Sequence, residues 1–88
     1  MKLLTKDLIK KFQETGSQEN NPNPSIICKF FTTWANWTWY ATEYDPETRI
    51  FYGLVHGFEN EWGYFSLDEL EALKGPGGLG VERDLNFN

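Results

Sequence analysis

Eighty-eight residues, 40% hydrophobic and 17% aromatic, fit one small domain built around aromatic rings, because two cores would starve each other at this length. The net charge of -5 works against phosphate backbones, and the single cysteine and single histidine exclude an internal disulfide and a zinc site built from several such ligands. No apolar run approaches the ~18 residues of a membrane span and MKLLTKDLIKKF lacks a signal-peptide core, so the expectation is a cytoplasmic protein without a membrane partner.

In chain order, the first predicted element is a helix from Thr5 through Phe12, ending at Gly16. Thr5 can cap the free N–H groups, Asp7 sits in the first turn where a carboxylate suits the helix dipole, and Leu4 with Ile9 makes a hydrophobic staple. Leu8, Ile9 and Phe12 fall on one side, so this helix needs a surface to lie against. Residues 17–24, SQENNPNP, are polar and carry two prolines, which predicts an exposed loop.

Three strands follow, near 25–32, 36–44 and 49–56, where β-branched and aromatic residues dominate. The last two flank DPET, the chemistry of a type I turn, and form a hairpin. With Tyr44 opposite Arg49, alternation sorts the side chains into two faces. One carries Trp37, Trp39, Ala41, Ile50, Tyr52, Leu54 and His56, the expected core. The other carries Thr38, Tyr40, Thr42, Tyr44, Arg49, Phe51, Gly53 and Val55, and from it Tyr40, Tyr44, Arg49 and Phe51 are the candidate binding residues, aromatic rings beside a guanidinium. A register slip would exchange the faces. Trp34 and Trp62 have no assignable face.

A fourth strand around EWGYFS leads into a helix over 67–74. Ser66 and Glu69 form a capping box, Phe65 and Leu70 a staple, and Gly75 with Pro76 the stop. Leu67, Leu70 and Leu73 are spaced to dock on the sheet. GPGGLG at 75–80 follows a helix C-terminus instead of preceding an N-terminus and has no lysine in phosphate-loop position, so it is a structural loop. VERDLNF is a short final strand or an extended tail. The fold class is α+β: one domain over 1–88, a twisted antiparallel sheet of four or five strands with two helices.

None of this assembles an active site. Cys28 and His56 read as ordinary sheet residues, and the acids Glu43, Asp45, Glu47, Glu59 and Glu61 lie around turns without calcium-loop spacing. No catalytic residue, metal or cofactor is assigned.

LLTKDL, KFFT, TWYATEYD, YGLV, GYFSLDELEALKGPGGL and VERDLNF together resemble the domain of unknown function family 2958, small bacterial proteins often associated with plasmids, conjugative elements and phages. The likeness spans nearly the whole chain and is most specific over Gly63–Phe87. It implies a compact accessory protein of mobile DNA and offers no catalytic residues to carry over; by analogy with anti-restriction functions in such elements, it suggests binding to a host defence or DNA-processing protein. The expectation is a non-catalytic module that binds another protein. The alternative is single-stranded nucleic acid stacked on Tyr40, Tyr44 and Phe51, assisted by Arg49 and the N-terminal lysines.

Overall fold

The computed structural model describes residues 2–87. Among them the chain forms α1 (Lys6–Thr15), β1 (Cys28–Phe31), β2 (Thr38–Asp45), β3 (Ile50–His56), β4 (Asn60–Ser66), α2 (Leu67–Ala72) and β5 (Glu82–Arg83), with one 3-10 turn at Pro76–Gly78. The five strands make a single antiparallel sheet in the order β4-β3-β2-β1-β5, so the architecture is α+β. The final segment joins the sheet through Glu82 and Arg83, which pair with Phe31 and Phe30. No helix among the described residues is long and apolar enough to cross a membrane.

Local chemistry sets the helix ends. Thr5 Oγ1 accepts the Leu8 N–H at 3.2 Å, and Gly16, at φ 68°, donates its N–H to the Phe12 carbonyl. That left-handed conformation is one a side chain would disfavour. Ser66 Oγ accepts the Glu69 N–H at 3.3 Å, the predicted cap of α2. The helix stops at Ala72, two residues earlier than its sequence suggests, because Leu73 already has extended backbone. Leu67 and Leu70 are buried and Leu73 is exposed, so two of the three expected leucines dock. The chain then crosses to the far edge, where Val81 is buried.

The hairpin forms where expected, with a different register. Asp45 pairs with Ile50 and Tyr44 with Phe51, so the loop comprises Pro46 to Arg49. Arg49 takes the left-handed conformation at φ 60° and donates its N–H to the Asp45 carbonyl at 2.8 Å. Further along, Ala41 pairs with Gly53 and Glu43 with Tyr52, leaving Thr42 as an extra residue in β2. This is a β-bulge, and it exchanges the faces of the strand on either side of itself. At Gly53 the backbones crowd: an added Cβ would lie 1.9 Å from the Tyr40 carbonyl oxygen.

The bulge decides what is buried. Tyr44, Phe51 and Phe65 face the helices, and beyond the bulge Trp39, opposite Val55, joins them in place of Tyr40. Phe51 is the hub, fully buried, with ring centroids 5.9 Å from Phe12, 5.3 Å from Phe30, 4.7 Å from Tyr44 and 5.2 Å from Phe65. Trp39 is buried as expected, whereas Ile50 and Leu54, assigned to its face, are half-buried on the opposite side. Trp37 stacks on Trp39 at 6.0 Å and lies over Gly57, while the Trp34 ring lies over Gly75. Those two glycines leave room for the indoles.

Candidate interaction surface

α1 and α2 both cover the face that holds Phe51: Phe12 reaches Phe51 and Tyr44, and Leu67 and Leu70 belong to the same buried cluster. The other face carries no helix. Cross-strand pairing aligns its side chains in rows, Lys29, Tyr40, Leu54 and Trp62 in one and Glu43, Tyr52 and Tyr64 in the next. Trp62 is 50% exposed and Tyr64 78%. Tyr52 holds both, stacked on Trp62 at 6.2 Å and edge-on to Tyr64 at 5.0 Å.

The polar loop 17–24, most of whose residues are exposed, is tied to this face. Gln18 is its anchor and is itself buried. The Gln18 side-chain amide donates to the carbonyls of Thr42 and Ser25, both at 2.8 Å, and its oxygen accepts the Ser25 N–H. The Gln18 backbone N–H donates to Glu43 Oε2 at 3.3 Å. A cleft of about 380 Å³ results, with Tyr52, Trp62, Tyr64, Thr42 and Glu43 as its floor and Gln18, Glu19, Pro22 and Pro24 among the loop residues that wall it.

The four residues singled out from sequence do not form one surface. Phe51 lies at the centre of the core, sealed from any ligand, and Tyr44 is packed beside it, half-buried on the covered face. The bulge at Thr42 is the reason: it sends Tyr40 to the open face and leaves Tyr44 on the covered one. Tyr40 does lie on the open face, with Lys29 Nζ 5.7 Å from its ring centroid. Arg49 sits at the hairpin turn and reaches α2, its Nε donating to Asp68 at 2.8 Å and its Nη2 to Glu71 at 3.1 Å. The hydrogen bond to Asp68 raises the Arg49 pKa further. Tyr52, Trp62 and Tyr64 were missed, although Trp62 and Tyr64 alternate with Gly63 and Phe65 as a two-faced strand should.

Cys28 and His56 are not brought together. Cys28 lies in the core and its neighbour across the sheet is Ala41, while His56 is exposed on the open face opposite Thr38, so β2 separates them. Burial pushes the Cys28 thiol up to about 12, against the smaller pull of Arg83 and Lys11. Among the described residues no group of three His, Cys, Asp or Glu side chains could hold a metal ion.

A sheet covered on one face by two capped helices and carrying an aromatic cleft on the other defines a small α+β domain with an open sheet face. The chain belongs to the family described as Protein of unknown function (DUF2958), whose model matches residues 3–88. Neither a curated protein nor a solved structure matches it.

Proposed function

We propose that the protein is a non-catalytic accessory factor, of the kind carried by plasmids, conjugative elements or phages, that acts in the cytoplasm by binding another protein through the open sheet face. One observation carries the reading: Trp62 and Tyr64 are held in ring contact with Tyr52 on a face that no helix covers, while the same sheet buries Phe51 and Phe65 on its other side. Large rings kept in fixed positions at the surface are the usual anchors of protein interfaces, because they supply contact area at little cost in ordering.

The test is affinity capture with chemical cross-linking, comparing the wild-type chain with Trp62→Ala plus Tyr64→Ala. Both side chains are exposed, so circular dichroism should show the double variant folded. Loss of a specific captured partner supports the reading, and an unchanged set of partners abandons it.

Single-stranded nucleic acid is the second reading, favoured by the stacked Tyr52 and Trp62 pair, since a base can extend such a stack. Electrostatics weighs against it. Glu43 and Glu19 line the same cleft, and the lysines of α1 lie with that helix on the opposite face of the sheet. Quenching of tryptophan emission by an oligonucleotide, weakening as salt is added, would favour this reading; no change at low salt would remove it.

A further inference from the structure

We infer that the cleft between loop 17–24 and the sheet receives a positively charged side chain, arginine or lysine, from the partner protein. The inference rests on the protein-binding reading and names the chemistry of the partner. Three aromatic rings and two carboxylate residues, Glu43 and Glu19, line the cleft, and no lysine or arginine is among its lining residues. Ring faces are electron-rich and attract a cation directly, while a nearby carboxylate adds a charge that a neutral guest could not use.

The open face holds an internal precedent. Lys29 places its ammonium 5.7 Å from the Tyr40 ring centroid and 3.9 Å from the Asp84 carboxylate. Ring, carboxylate and cation meet there within one molecule. At the cleft the rings and carboxylates recur with no cation among the lining residues, and three of the chain's cations have partners elsewhere: Lys29 at Asp84, Arg49 at Asp68 and Glu71, and Arg83 at the carbonyls of Lys2 and Leu3. A net charge of -5 also draws a basic partner toward the whole molecule.

Nuclear magnetic resonance of the isotope-labelled full chain tests this with blocked Gly-Arg-Gly and its neutral isostere Gly-citrulline-Gly, added to millimolar concentration. The expected result is movement of the Trp62 indole N–H signal and the Tyr52 and Glu43 amide signals with the arginine peptide and far less with citrulline. Glu43→Gln should weaken the effect about fivefold. Trp62→Ala should abolish it, and Tyr40→Ala, outside the cleft, should leave it unchanged. Equal shifts with both peptides, or no shift in the cleft with either, overturn the inference. If partner capture still depends on Trp62 and Tyr64 in that event, protein binding stands and only the basic chemistry falls.

Discussion

Gln18 donates its side-chain amide to the carbonyl of Thr42, 24 positions along the chain, at 2.8 Å. β1 begins only at Cys28, opposite Ala41, so the bulge carbonyl lies past the end of that strand and a side chain takes the place of a neighbouring backbone. The bond ties the loop to the sheet and thereby builds one wall of the cleft. Gln18→Ala leaves the Thr42 carbonyl and both Ser25 backbone groups without these partners, and the expected loss of stability is about 1–3 kcal/mol. In thermal unfolding this amounts to about 4–8 °C for each kcal/mol in a domain of this size. Hydrogen exchange should rise at residues 17–25 more than in β3. An unchanged melting temperature and unchanged loop exchange would show that the amide anchors nothing.

Phe51 and Tyr40 were grouped as neighbours on one face and now separate by role. Phe51→Ala removes the ring that four others touch and should cost about 3–5 kcal/mol, a large share of the stability of a small domain. Tyr40 is half-buried on the open face, and Tyr40→Ala should leave a cooperative denaturant transition close to that of the wild type. Similar losses in the two variants would contradict the placement of the bulge.

The helix caps, the hairpin, the α+β class and the extended character of residues 82–83 were legible because each depends on chemistry a few residues wide. Thr5 with Leu8, and Ser66 with Glu69, are pairs three positions apart. The registry of TWYATEYD was not legible, since both faces of that strand carry aromatic or apolar residues and either could be buried. Two features far from any local pattern settled it. Arg49 accepts a left-handed backbone usually left to glycine or asparagine, which shifts the turn by one residue, and the Thr42 bulge is supported by Gln18 from a loop whose composition suggests only solvent. The aromatic cleft was hidden for the same reason: reading Tyr52 with Trp39 sent it to the core, while Trp62 had no partner strand until the register was known.

Arg49 combines a backbone conformation unfavourable to a side chain with two surface ion pairs, to Asp68 and Glu71. Glycine relieves the first and forfeits the second, whereas alanine forfeits the pairs and keeps the strain. Arg49→Gly should therefore be more stable than Arg49→Ala in urea unfolding at every salt concentration. Against wild type, the alanine variant should lose less at high salt, where exposed pairs are screened. If alanine proves the more stable of the two substitutions, the left-handed turn is not what the chain adopts.

Cys28 gives the fold an alkaline limit. Its thiol is buried in the core and pushed up from an ordinary 9.0 to about 12, chiefly by desolvation. Below pH 9.0 the thiol is protonated in folded and unfolded chains alike, and this group leaves stability unaffected. As pH rises from 9.0 toward 12 the unfolded chain releases a proton that the folded chain keeps, so the folded state loses stability by up to about 1.4 kcal/mol per pH unit. Tyr44, also raised by burial, acts in the same direction at somewhat higher pH, and a difference experiment separates the two. Denaturant unfolding of wild type and Cys28→Ala, repeated from neutral to strongly alkaline pH, should show a steeper alkaline decline in the wild type, with the curves parallel below pH 9.0. The native thiol should also react with a disulfide reagent only as fast as the core opens. Parallel curves throughout, together with immediate reaction of the native thiol, would place Cys28 at the surface and remove it from the core row it shares with Ala41.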